Sequence, residues 1–197
     1  MLNEVLGFIT MLVCFSGITI AFKLFGRAGL YVWMALSIII ANIQVTKIIE
    51  VFGLVTAMGN VIYGSTFLAT DILTERYGVK YARKAVFIGF FAMIFATLIL
   101  QLTLLFEPHE SDTVSSAMAQ VFHFMPSAMV ASLSAYIISQ LHDVWAFELW
   151  RKKTKGRFLW LRNNVSTMVS QFIDNVTFTL LFFVVFNPKP LEWKTLE

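Results

Sequence analysis

Residues 85–106 read AVFIGFFAMIFATLILQLTLLF, 22 positions without a single charged side chain. Spanning the hydrocarbon core of a bilayer takes about 20 mainly apolar residues in a helix. This run meets that length and is bracketed by charge: Lys80, Arg83 and Lys84 before it, Glu107 after it. Working outward, five further apolar runs lie at roughly 5–25, 29–46, 54–72, 127–149 and 166–186. The pattern predicts an all-α, polytopic membrane helix bundle of about six spans, built as one integral membrane domain over residues 1–197. The second and third runs are the least regular. Lys47, Glu50, Gly53, Gly59 and Asn60 fall between or within them, so a broken or re-entrant segment is expected there.

Composition agrees. Of 197 residues, 58% are hydrophobic and only 14% charged, with 20 phenylalanines. A soluble domain carries about 25% charged residues. No stretch is polar enough to form a second domain or a linker. The single cysteine, Cys14, excludes an intrachain disulfide. The N-terminus, Met1-Leu2-Asn3-Glu4, lacks the basic start of a signal peptide, and no small-residue cleavage site follows the first run, which therefore reads as a retained helix.

Charge placement supports six crossings. With the N-terminus outside, alternating spans put twelve of the fifteen basic residues inside, in clusters around Lys23–Arg27, Arg76–Lys84 and Arg151–Arg162. Only Lys47, Lys189 and Lys194 fall outside, and loop 107–126 holds acids but neither Lys nor Arg. This is the asymmetry of the positive-inside rule. The net charge of +3 is thereby explained as topology, and no nucleic-acid partner is expected.

The functional signal is polar residues where apolar ones belong, since an acid at mid-bilayer costs on the order of 2.5–3.5 kcal/mol on insertion scales. Phe67, Asp71 and Glu75 are four apart and share a helical face. Gln140, Asp143 and Phe147 do the same in the fifth span, and Gln171, Asp174 and Phe178 in the sixth. These last two sets belong to a repeated pattern, S-Q-x-x-D-x-x-x-F, at Ser139–Phe147 and Ser170–Phe178. The copies run through the membrane in opposite directions, as inverted repeats of transporters do. Asn42 and Gln44 end the second span, and Asn163 and Asn164 lie at the start of the sixth. A carboxylate beside an amide and an aromatic ring suits a flat heterocycle with adjacent N–H and amino donors.

Blander roles compete residue by residue. Glu75 lies beside Arg76 and reads as a structural ion pair; Asp143 and Asp174 could pair with Arg151 or Arg162 merely to hold the bundle. His142 sits one position off the polar face and reads as packing. Motifs for phosphate binding, zinc ligation and a nucleophile elbow are all missing from the sequence, so neither cofactor nor metal is expected, and the chain reads as a transporter and not an enzyme.

At these residues the sequence resembles the queuosine precursor transporter family, also called the vitamin uptake transporter family. The resemblance rests on Ala41-Asn42-Ile43-Gln44, Gly59-Asn60-Val61-Ile62-Tyr63, Phe67–Leu73, Glu75-Arg76-Tyr77-Gly78, Ala82–Ala85, Ser139-Gln140 with Asp143-Val144, and Trp160–Thr167 running into Ser170-Gln171 and Asp174. It spans about residues 30–186. It implies import of 7-cyano-7-deazaguanine or its aminomethyl relative across the bacterial inner membrane, to supply tRNA modification. On this resemblance Asp71, Asp143 and Asp174 are candidates for the ring donors. Asn42, Gln44, Gln140 and Gln171 are candidates for the ring carbonyl and nitrogens, and Phe67 and Asn163 complete the candidate set. A homo-oligomer or an energising partner stays open: a secondary carrier would use an intramembrane acid as a proton site, whereas a substrate-binding subunit for another heterocycle or vitamin would need a separate ATPase. Members of the family usually continue into a further hydrophobic helix beyond the stretch matching Leu191–Glu197; whether this sequence is a fragment or a short form stays open, and a missing helix would cost the pocket a wall.

Overall fold

The computed structural model describes residues 2–122 and 125–185. The first two apolar runs form one continuous element, α1 (Leu2–Gln44), turned back on itself at Gly26. Gly26 holds φ 56 and ψ −132, a conformation that a Cβ would strain. The two limbs then run antiparallel in close contact. A methyl group on Gly17 would lie 2.6 Å from the Trp33 indole, and one on Gly29 would overlap the Ala21 carbonyl oxygen. The expected loop between the first two spans is thus reduced to a single turn.

A β-hairpin follows, β1 (Ile48–Val51) and β2 (Leu54–Ala57), paired antiparallel with Val51 opposite Leu54. Its two-residue turn, Phe52-Gly53, has positive φ at both positions, as a tight hairpin turn requires. The hairpin caps the start of α1: Asn3 Nδ2 donates to the Glu50 carbonyl at 2.9 Å, and the Phe52 amide to Glu4 Oε1 at 3.4 Å. It also corrects the sequence-based third span. The helix there begins at Asn60 instead of residue 54, because residues 48–57 satisfy their backbone groups as a strand pair.

Four longer helices complete the bundle: α2 (Asn60–Tyr77), α3 (Val79–Thr103), α5 (Met125–Lys153) and α6 (Leu159–Thr179), the last continued by a π-helical turn, Leu180–Val185. A short helix, α4 (Ser115–Phe122), occupies the loop between α3 and α5 and is tied back by Gln101 Nε2, which donates to the Phe122 carbonyl at 2.7 Å. With α1 counted as two limbs, six rods cross the bundle. Among the described residues, only α1 and α3 are both long and apolar enough to pass as membrane spans by length and composition. The other three carry the polar residues of the interior. Ile18, Leu30, Met34, Ile38, Leu73, Val86, Met93 and Tyr136 form the apolar core. Phe87, Phe91, Phe95, Ile99 and Leu102 of α3 point outward, as lipid-facing side chains do.

Opposite ends of the bundle differ in charge. The Arg27 guanidinium lies 4.4 Å over the Tyr81 ring, which brings the Gly26 turn beside the α2–α3 junction, and Arg151 and Arg162 both reach Glu75 at that same end. The basic clusters therefore gather at one end, and the hairpin lies at the other. The sixth span starts at Leu159, seven residues earlier than expected, because the turn at Lys155 and Gly156 closes early. That shift carries Asp174 toward the hairpin end, not the basic end. Lys189, Lys194 and the stretch Leu191–Glu197, where a further helix was expected to follow, lie outside the described residues.

Candidate substrate-binding site

A half-open cavity at the hairpin end lies between α1, α2, α5 and α6. Its volume is about 90 Å³, and its polar lining comes from Asn42, Asn60, Tyr63, Ser132, Asp174 and Asn175, with Phe178 and Tyr136 as aromatic walls. Asp174 is the one acid in that lining. Tyr63 Oη donates to its Oδ1 at 2.6 Å, and Ser139 Oγ donates to the same oxygen at 2.8 Å. Neither bond uses Oδ2. One oxygen of the carboxylate is thus held by the protein and the other remains available.

The surrounding groups are similarly fixed at one end and open at the other. Asn42 Nδ2 donates to the Ile38 carbonyl of its own helix at 2.9 Å, which orients the amide and leaves its oxygen to accept. Asn60 Nδ2 donates to Thr56 Oγ1 at 2.9 Å, fastening the hairpin to α2. Tyr136 donates its hydroxyl to the Val86 carbonyl at 3.1 Å, and its ring meets that of Tyr63 edge to face at 6.4 Å. One open carboxylate oxygen, amides and ring faces in one recess suit a planar molecule with a donor edge.

Below the cavity the polar line continues along facing sides of α2, α5 and α6. Gln140 Nε2 donates to Thr66 Oγ1 at 2.7 Å, and Thr70 Oγ1 approaches Gln140 Oε1 and Asp143 Oδ2, each at 3.5 Å. Asp71 and Asp143 are buried, 4% and 0% exposed, and stand beside each other. At the basic end, Arg162 is 1% exposed. Its Nη2 lies 2.8 Å from Glu75 Oε2, and its guanidinium sits 5.3 Å from the centre of the Phe147 ring. Arg151 joins Glu75 at 3.9 Å and Glu148 at 3.4 Å. Glu75 is an ion-pair residue as expected, but its partners are Arg162 and Arg151, whose side chains cross from α6 and α5, and not its chain neighbour Arg76. His142, read from the sequence as packing, has Nδ1 at 2.9 Å from Ser170 Oγ and so helps join α5 to α6.

The sequence-derived candidates therefore divide. Asn42 and Asp174 line the cavity, whereas Gln171 is outside its lining, with Nε2 close to Gly64 of α2. Asp71, Gln140 and Asp143 form the buried network beneath, against Phe67, whose ring packs edge to face on Tyr63 at 5.8 Å. Asn163 neighbours Arg162 at the basic end, and Gln44 lies on the half-buried end of α1 outside the cavity lining. Tyr63, Asn60, Tyr136 and Asn175 were not singled out. Tyr63 was legible: the stripe Phe67–Asp71–Glu75, extended one turn back, lands on it. The inverted repeat is reciprocal in space. Ser139 of the first copy bonds Asp174 of the second, and Ser170 of the second stands beside Asp143 of the first.

The family model described as "Putative vitamin uptake transporter" matches residues 57–196. The chain belongs to this transporter family. It is 41% identical over 189 residues to the "Probable queuosine precursor transporter" of Bacillus subtilis (strain 168), a match covering 95% of this chain and 82% of that one. It is 29% identical over 150 residues to the "Queuosine precursor transporter" of Escherichia coli (strain K12), covering 76% of this chain and 64% of that one. No solved structure matches this one significantly. As a member of the family the chain is a membrane protein that moves a small molecule through the bilayer.

Proposed function

We propose that this protein imports queuosine precursors, 7-cyano-7-deazaguanine or its aminomethyl relative, across the bacterial inner membrane, acting as a carrier and not as an enzyme. The observation that carries the reading is Asp174: a carboxylate in an aromatic cavity, fastened through Oδ1 by Tyr63 and Ser139, with Oδ2 open. A 7-deazaguanine presents a ring N–H and an exocyclic amine side by side, the donor edge that such an acceptor takes. Asn42 is placed to meet the remaining polar edge, and Tyr63, Tyr136 and Phe178 the ring faces. The names of the two relatives support the same substrate class.

In this reading the hairpin end faces outward with the N-terminus, and the basic end lies in the cytoplasm, as the positive-inside rule requires. The whole chain acts as a single membrane domain. The test is rescue of queuosine in tRNA, in cells that neither make nor import the precursor. Modification restored by this chain, and lost with Asp174→Asn at equal membrane levels, supports the assignment. Expression without rescue at any supplied precursor concentration overturns it. Rescue that disappears when the host's vitamin-importer ATPases are deleted would assign the energy to a partner.

A further inference from the structure

The buried acids beneath the cavity are not needed to line it. Asp71 of α2 and Asp143 of α5 stand side by side, and no well-formed hydrogen bond reaches either oxygen of Asp71 or Oδ1 of Asp143 although all three are buried; the groups against them are each other and the hydroxyls of Thr70, Ser166, Thr167 and Ser170. Two carboxylates in contact, out of water, repel each other and leave acceptors unmet.

The charges facing the pair do not resolve this. Arg162 of α6 is within electrostatic reach, but its Nη2 is engaged with Glu75 at 2.8 Å. Beyond Glu75 lie Arg151, Glu148 and Lys152. From the cavity side the next titratable groups are Asp174 and Tyr63, already bonded to each other, and His142, which meets Ser170. The buried residues of α1 and α3 carry no charge. Among the described residues no ion pair reaches Asp71 or Asp143: Arg162 and Arg151 are taken up by Glu75 and Glu148, and Arg83 and Lys152 lie out at the Glu148 end. One proton held between the two carboxylates supplies the missing donor.

We propose that Asp71 and Asp143 form a proton-binding pair, separate from the substrate cavity, through which transport is coupled to proton entry. The inference rests on the carrier reading above and adds its energy source. Arg162 supplies the link. Its Nε and Nη1 are buried and unpartnered, so the guanidinium has donors to offer the acid pair when the proton leaves. Turning toward the pair loosens its hold on Glu75, the ion pair that closes the basic end. Proton loss on the cytoplasmic side and opening of that end are then one event, a two-state element of the kind a coupled carrier needs. The transferred species is a proton alone; it enters from the outer side, resides on one carboxyl oxygen and leaves to cytoplasmic water.

The purified protein in lipid vesicles, with labelled 7-cyano-7-deazaguanine, separates the questions. Exchange of label at equal pH on both sides reads substrate carriage alone. Accumulation with acid outside reads coupling. The expected result is both for the unaltered chain, and exchange without pH-driven accumulation for Asp71→Asn and Asp143→Asn. A pH-sensitive dye in vesicles of the unaltered chain should report proton entry on substrate addition, so the proposal stays testable if either variant fails to fold. Exchange with neither accumulation nor proton entry overturns the proposal and leaves the carrier reading standing. Proton-coupled accumulation that survives in both variants also overturns it. No exchange at all overturns the carrier reading, and the proposal with it.

Discussion

Replacing Asp174 by asparagine tests the site at its sharpest point. The two structural hydrogen bonds of Asp174 both end on Oδ1, from Tyr63 at 2.6 Å and from Ser139 at 2.8 Å. An asparagine of the same shape keeps that oxygen and both bonds, since flipping would set an N–H against two donors. The change falls on the other position, where Nδ2 replaces the open Oδ2. There a ligand N–H meets a donor instead of a charged acceptor. A hydrogen bond to a charged group contributes about 1.5–3 kcal/mol. At about 1.4 kcal/mol per decade, the dissociation constant for 7-cyano-7-deazaguanine should rise roughly 10- to 150-fold. Calorimetric titration of detergent-purified protein measures it, with the thermal melting point as control. The reasoning is refuted if affinity changes by less than about twofold at an unaltered melting point, because Oδ2 then touches no ligand. It is refuted equally if the variant melts well below the parent, because Asp174 then serves the fold.

Other consequences are testable alongside. Gly89→Ala sets a methyl group against the Tyr136 hydroxyl, so that ring must shift and its bond to Val86 O weaken; affinity should fall although residue 89 lies outside the cavity lining, as the same titration would show. Arg162→Gln leaves Glu75 with Arg151 alone at 3.9 Å, and breaking a buried pair costs about 3–5 kcal/mol, less here because that second partner remains and the Glu75 side chain is 32% exposed. The melting point should drop, and adding Glu75→Gln should recover part of the loss. Cysteines introduced at Ser132 and Lys153 report topology against a buried Cys14: a membrane-impermeant maleimide added to intact cells should label residue 132 and spare residue 153.

The helices were legible because lipid leaves long apolar runs, and the acids because charges are conspicuous inside such runs. The spacing of Asn42, Asp71, Asp143 and Asp174 could not say which of them share a recess. That depended on where α6 begins, and a start at Leu159 instead of 166 moved Asp174 beside Asn42, toward the hairpin end. The hairpin escaped because strands of four residues leave little periodicity, and Lys47, Glu50 and Gly53 read as a break in a helix. Arg162 was counted among the topology charges and weighed as a partner for Asp143 or Asp174, but not for Glu75, since nothing in sequence distinguishes a buried arginine from a solvated one. Its contact with Glu75 joins residues far apart in the chain, and only packing reveals it.

The uneven distribution of polarity bears on how the protein enters the membrane. By length and composition, α1 and α3 are suited to partition into lipid on their own. The remaining helices cannot be expected to do so: α2 brings Asp71 and Glu75, α5 brings Asp143 and Glu148, and α6 brings Arg162 and Asp174. Each becomes tolerable in hydrocarbon only as its polar stripe finds the stripes of the others. Bilayer integration of these three helices and assembly of the transport pathway are therefore one cooperative act of biogenesis. A chain stalled with α6 still in the insertion machinery would hold α2 and α5 there as well, unable to release either to lipid.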